Sequence, residues 1–177
     1  MFIKLNKNIH VSEYTPETSV ISYVGKIEYL TVSIPSDDVL LMIPERYRDK
    51  FVVLVMELTG PIGSHTDSGI LSTINIYVEP DNCITKFYDF PKDTKVDIMQ
   101  VKNQTNGKVF KTNQLVFHDS FVANKDEAWL LDVTKPHSVH SNKEEPSPSV
   151  NRTAIAIQSK YYSYEEVQEM LKETGYL

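Results

Sequence analysis

The stretch Ile74-Asn75-Ile76-Tyr77-Val78 alternates aliphatic and polar side chains residue by residue, and Arg152-Thr153-Ala154-Ile155-Ala156-Ile157-Gln158 alternates again late in the chain. Successive side chains of an extended backbone point to opposite faces, so a period of two marks a strand. On the second stretch Arg152 shares a face with Ala154, Ala156 and Gln158, while Thr153, Ile155 and Ile157 face the other way into apolar packing. Working outward, further short runs rich in Val, Ile, Tyr, Thr and Phe read as strands. They are Val20–Val24, Tyr29–Ile34, Phe51–Leu58, Leu71–Val78, Ile84–Tyr88, Val96–Lys102, Val109–Thr112, Gln114–Phe117, Trp129–Val133 and Arg152–Ser159. So many short strands predict an all-β sandwich or barrel. Two helices flank it: Asp37–Ile43, stopped by Pro44, and Tyr164–Thr174, with Ser163 and Glu166 in a capping-box pattern and Gly175 at its end. Asn106-Gly107 predicts a hairpin tip, and the polar, proline-containing stretch from Ser141 to Ser149 predicts a mobile loop.

A chain of 177 residues predicts one domain, 1–177, with a core of about 50–160 and a C-terminal helix at 164–174. Hydrophobic residues at 41% and charged residues at 24% suit a packed core rather than disorder. The formal charge of −6 and the absence of a basic stripe argue against long nucleic acid as a partner. The single cysteine, Cys83, rules out an internal disulfide, thiolate-rich zinc sites and iron–sulfur clusters, which leaves imidazole and carboxylate as metal ligands. No signal-like or membrane-spanning apolar run is present, so a cytoplasmic setting is expected.

Of the five histidines, His65 forms a His-x-Asp pair with Asp67, and residues i and i+2 of an extended chain reach the same side. A third ligand must come from far along the chain, and His137 and His140 are the candidates. Two imidazoles and one carboxylate on one face of iron(II) leave positions open for oxygen and a chelating cosubstrate. The bland alternative is a surface His65 beside an Asp67 that tops a turn with Ser68-Gly69. Arg152, above two alanines, has room beside it for a small dicarboxylate held by the guanidinium fork. The alternative is an exposed edge arginine paired with Glu144 or Glu145. Asn75 and Tyr77 point into the barrel if Ile74, Ile76 and Val78 pack outward; otherwise they form a solvent-facing stripe. Trp129 reads as packing, and His10 and His118 have no place in the pattern.

The segments Gly63-Ser64-His65-Thr66-Asp67, Ile74 to Pro80, Thr85-Lys86-Phe87-Tyr88, Ala128 to Asp132, Pro136-His137-Ser138-Val139 and Arg152 come in a telling order. In that order the chain resembles the 2-oxoglutarate and iron(II) dependent oxygenases, particularly short phage-type forms related to prolyl and aspartyl/asparaginyl hydroxylases. The resemblance covers about Gly60 to Ser159. It implies a double-stranded β-helix of jelly-roll, cupin-like type, with iron(II) held by His65, Asp67 and His137, and 2-oxoglutarate anchored through Arg152. Asn75, Tyr77 and Tyr88 are further candidates for cosubstrate binding. The interval from His137 to Arg152 exceeds the family pattern, since Pro146-Ser147-Pro148-Ser149 lengthens the loop, but added loop length costs little closure entropy. His137 rather than His140 is the expected ligand, because the two project to opposite faces of a strand and His140 opens the polar loop.

The expected function is therefore oxidation of an unactivated C–H bond, using O2 and converting 2-oxoglutarate to succinate and carbon dioxide. If the chain is viral, its setting is the host cytoplasm. A cupin-type metal enzyme using no 2-oxo acid and a non-catalytic jelly-roll module are the alternatives. The substrate, peptide or small molecule, lies in loop chemistry that a single sequence does not display.

Overall fold

The period-two segments build two antiparallel sheets, and their alternation decides which side chains the sheets enclose. A computed structural model of the chain describes residues 1–11, 15–22, 27–33, 39–99, 107–142 and 150–177. Its strands are β1 (Phe2–Lys4), β2 (Thr15–Ser22), β3 (Ile27–Ser33), β4 (Phe51–Leu58), β5 (Ile62–Thr66), β6 (Ser72–Glu79) and β7 (Cys83–Asp89). They continue as β8 (Ile98–Met99), β9 (Lys108–Phe110), β10 (Val116–Val122), β11 (Ala128–Leu131), β12 (His137–Ser141) and β13 (Arg152–Ser159), before a helix α1 (Tyr164–Glu173). A seven-stranded sheet has the order β1-β11-β6-β13-β4-β3-β2, and a six-stranded sheet the order β10-β7-β12-β5-β9-β8. Strands β4, β6, β11 and β13 lie in the first sheet, and β5, β7, β10 and β12 in the second. This crossing back and forth is a double-stranded β-helix, a jelly-roll of cupin type, with β1–β3 extending one sheet and β8–β9 the other.

The larger sheet separates two apolar layers. Ile74, Ile76, Ile155 and Ile157 face outward and pack with Val167, Met170 and Leu171 of α1. Their inward neighbours Tyr77, Ala154 and Ala156 join Met56, Ile62, Phe87 and Val139 between the sheets. Each fully buried isoleucine contributes about 1.5–3 kcal/mol, so the outer layer holds the sheet flat against the helix. The small alanines leave the inner layer room. Helix α1 starts at a capping box, with Glu166 N–H donating to Ser163 Oγ and Ser163 N–H donating to Glu166 Oε2 at 2.7 Å. It ends in a Schellman arrangement, where Tyr176 N–H reaches the Leu171 carbonyl at 2.8 Å over Gly175 at φ 74.

Several boundaries differ from the sequence reading. Strands β1 and β5 were not expected, because segments such as Ile62-Gly63-Ser64-His65-Thr66 carry little β propensity and are held by their neighbours; the extended segment read from His137 to His140 is β12. In place of a strand over Gln114–Phe117, a 3-10 turn covers Thr112–Gln114 and the strand runs Val116–Val122; the polar Thr-Asn-Gln triplet favours the turn. Of the expected helix Asp37–Ile43, residues 37 and 38 lie outside the described residues; Val39 and Leu40 are helical, and Val39, Met42 and Ile43 are buried. Tyr23, Val24 and Ile34 also lie outside them, as do residues 100–106, with Asn106 of the hairpin tip, and residues 143–149 of the loop. The expected flank Val101-Lys102 falls within 100–106, and Val109 and Phe110 pair instead with Met99 and Ile98.

Gly107 has φ 94, and a Cβ placed on it would run into the carbonyl of Thr66, the residue between His65 and Asp67. Only glycine permits both the conformation and the close approach. Gly107→Ala is expected to destabilise the fold by about 2–4 kcal/mol, read as a lowered midpoint in urea unfolding; an unchanged midpoint would remove this constraint on β5.

Candidate metal centre

His65 and His137 are direct partners in the β5–β12 ladder, and His137 is also opposite Phe87 of β7. This pairing puts both imidazoles on the inner face, their ring centroids 4.3 Å apart, with the Phe87 ring stacked on His137 at 5.5 Å. Each ring is oriented the same way. His65 Nδ1–H donates to the Gly63 carbonyl at 2.8 Å, and His137 Nδ1–H donates to the Lys135 carbonyl at 3.0 Å. A carbonyl can only accept, so in both neutral rings Nδ1 carries the proton and Nε2 presents a lone pair. Asp67, whose backbone N–H is tied to Val133 O at 3.0 Å, points Oδ1 to within 3.5 Å of His65 Nε2 and 3.9 Å of His137 Nε2. One ligand atom from each residue lies within 4.8 Å of the others, a cluster able to hold a metal ion.

The electrostatics fit a site built for a cation. Burial, reinforced by His65 and Arg152, holds His137 down to about 3, so this ring stays neutral. Burial also raises Asp67 above the usual carboxylate range, against the pull of His65. Burial thus leaves His137 in the neutral form that can bind a metal, while the raised Asp67 records the cost of drying a carboxylate without enough positive charge beside it.

The triad lines a cavity of about 440 Å³, counted out to its open mouth, whose walls include Met56, Leu131 and Val139 and the polar Asn75, Thr85 and Arg152. Arg152 is not an edge residue: it opens β13, which lies between β6 and β4, and is only 4% exposed. Its Nη1 donates to Thr85 Oγ1 at 3.0 Å, its guanidinium lies 5.3 Å from the Tyr77 ring centre, and its Nε has no hydrogen-bond partner among the described residues. Asn75 and Tyr77 point inward as their alternation with the isoleucines requires; Asn75 Oδ1 and Tyr77 Oη are likewise buried without partners. Asn75 and Arg152 line the cavity, and orphaned buried polar atoms beside a cavity call for a polar ligand.

Tyr88 departs from the expected set. Thr85 and Phe87 face the interior, so Tyr88 turns to the outer face of the smaller sheet, where its hydroxyl meets Ser138 Oγ at 3.0 Å and its ring meets Phe117. The charged Lys86 between Thr85 and Phe87 is the signal that assigns the faces the other way. His140 also lies on that outer face, with Nε2 at 2.9 Å from Ser138 Oγ, its pKa lowered by burial and by Lys86. His10 and His118 pair with Asp126 and Asp89 at the surface, and Trp129 stacks on Phe121 at 4.0 Å. Thr85, the hydroxyl partner of Arg152, and the orienting carbonyls of Gly63 and Lys135 were missed by the sequence reading. The parity of β7 was the available sign for Thr85; nothing local marks the carbonyls.

Substituting alanine for His65, Asp67 or His137 is expected to weaken divalent-metal binding by more than about 100-fold, beyond what loss of an outer partner costs, while His140→Ala keeps the metal. Metal content under nitrogen checks this; exchanged results for His137 and His140 would reverse the face of β12. A pH effect follows from His137, whose folded pKa lies below its unfolded value. The unfolded chain takes up a proton near pH 6.5 that the folded chain refuses until about 3, so this contribution to stability is lost as pH falls through that window. In metal-free protein between pH 6.5 and 5, urea unfolding of His137→Gln should lose stability less steeply than wild type, by up to about 1.4 kcal/mol per pH unit.

No family model and no curated protein matches the chain. Among solved structures it is similar to vicilin from Corylus avellana (hazelnut), at 12% identity and a TM-score of 0.39, over 88% of this chain and 31% of the vicilin. The chain thus spans about a third of that protein's length, and the strand order, not this likeness, carries the fold. Among the described residues no helix is long and apolar enough to cross a membrane.

Proposed function

We propose that the chain is an iron(II) and 2-oxoglutarate dependent dioxygenase that hydroxylates an unactivated C–H bond of a peptide or small molecule. One observation carries the reading: a buried guanidinium with a bare Nε lines the same cavity as a two-histidine, one-carboxylate triad. A buried cation lacking a matched anion is costly, and a 2-oxo acid chelating the metal would leave its distal carboxylate free to meet Arg152. The donor set suits iron(II), for which two imidazoles and a carboxylate on one face are diagnostic. The net charge of −6 disfavours long nucleic acid as the substrate.

Bound iron with its 2-oxo acid supplies oxygen activation, coupled to conversion of 2-oxoglutarate to succinate and carbon dioxide. The remaining tasks belong to the chain. His65 and His137 offer Nε2 lone pairs because their Nδ1 protons are committed to backbone carbonyls. Asp67 supplies negative charge, and its proton must leave for a metal to bind, so affinity falls on acidification. Arg152, steadied by Thr85, orients the dicarboxylate, and Met56, Ile62, Leu131, Val133 and Val139 keep water from the reacting centre. A cupin-type enzyme using no 2-oxo acid gives Arg152 no comparable task.

Titrating the anaerobic iron protein with 2-oxoglutarate should produce a weak visible charge-transfer band. Arg152→Ala should weaken that binding by about 2–5 kcal/mol while the iron stays, and wild type should form succinate slowly in air without a prime substrate. Equal affinity in wild type and variant would remove Arg152 as the anchor and the reading with it.

A further inference from the structure

We propose that Asp81 is a positioning residue for Arg152, acting through the backbone N–H of Asn151; this rests on the reading of Arg152 as the anchor of a 2-oxo acid's distal carboxylate. The inference starts from an interruption in the ladder. Strand β13 pairs with β6 from Ser159 to Ala154, but the register shifts between Ala154 and Thr153, so Arg152 lies beyond the regular pairing on that side. On its other side Arg152 is opposite Leu58 of β4. The β6 side needs another restraint, because an error of about 1 Å at a ligand-holding group is enough to impair a site.

The β6–β7 turn supplies it. Asp81 and Asn82 have φ 43 and 51, left-handed conformations that Asp and Asn tolerate better than other side-chain-bearing residues, in a tight turn closed by Cys83 N–H on the Pro80 carbonyl at 3.0 Å. Asp81 Oδ2 accepts from Asn151 N–H at 3.0 Å, and Asn82 O accepts from Asn142 N–H at 3.1 Å. One turn therefore holds both the exit of β12 and the approach to β13. The strands on either side of this turn, which lie in different sheets, both meet the arginine side chain, with Tyr77 of β6 beneath the guanidinium and Thr85 of β7 accepting from Nη1. Backbone and side chain of Arg152 are thus referenced to one connection and the two strands it joins. Without the Asp81 bond, the guanidinium keeps its neighbours but loses the fixed origin from which it reaches them.

The test uses the full chain loaded anaerobically with iron(II) and titrated with two probes: 2-oxoglutarate, and pyruvate, which has the 2-oxo acid head but no distal carboxylate. Asp81→Gly accommodates the positive φ and removes the acceptor oxygen, whereas Asp81→Asn keeps both. Asp81→Gly should weaken 2-oxoglutarate binding about tenfold, the low end of what outer-partner losses cost, with pyruvate affinity and iron content unchanged. Asp81→Asn should stay within about twofold of wild type. Equal weakening for both probes would make Asp81 merely structural and overturn the inference, as would wild-type affinity in Asp81→Gly when Arg152→Ala has lost it. If Arg152→Ala also binds 2-oxoglutarate like wild type, the functional reading fails first. Should Asp81→Gly not fold, a 2-oxoglutarate affinity near wild type in Asp81→Ala overturns the inference, and a loss confined to 2-oxoglutarate supports it.

Discussion

The backbone pairing of His65 with His137 is the constraint on which the rest of the site depends. In an antiparallel ladder, directly opposed residues point to the same face, so two imidazoles distant in sequence are delivered side by side without a specialised loop. Asp67 follows one residue beyond β5 and is pinned through its own N–H to Val133. Neither strand has the composition of a stable β-strand. β5 is flanked by β12 and β9, and β12 by β5 and β7, so backbone hydrogen bonds on both edges compensate for weak side-chain propensity.

Such a pairing orients ligands only because the surrounding layers are stiff. The outer isoleucines of β6 and β13 bind the larger sheet to α1, which leaves the inner faces of the same strands free to carry Asn75, Tyr77 and Arg152. Division of labour by parity lets one strand be both structural and functional. The cost appears in the orphaned Asn75 Oδ1, Tyr77 Oη and Arg152 Nε, since a buried polar atom without a partner costs about 1–3 kcal/mol. Burial keeps His137 neutral and raises Asp67. A cation at the triad would favour the ionised form of Asp67, and an anion at Arg152 would give its Nε an acceptor.

The outer face of the smaller sheet carries a separate polar cluster, Tyr88, Ser138 and His140. It lies one residue out of phase with the ligands, and this offset separates His137 from His140 and Thr85 from Tyr88. A shift of a single residue in β7 or β12 would exchange the two sets, and the twin pairing of His137 with His65 and Phe87 holds that register.

By itself the sequence determined the fold class, the facing of Ile74 to Val78 and Arg152 to Gln158, the C-terminal helix with its caps, and His65, Asp67, His137 and Arg152 as a candidate group. The first three rest on local periodicity or short motifs, which a chain expresses over a few neighbouring residues; the last begins from a His-x-Asp pair and was completed by the family resemblance. Tertiary structure alone decided that β5 is a strand, since its pairing energy comes from neighbours rather than from its own side chains. It decided that Tyr88 faces outward, that Thr85 meets Arg152, and that carbonyls of Gly63 and Lys135 set the imidazole protons. It also decided that a turn at Asp81 holds the approach to Arg152. Those contacts join residues far apart in the chain through backbone atoms that every residue possesses, and a sequence carries no mark of which carbonyl or N–H a fold will bring to hand.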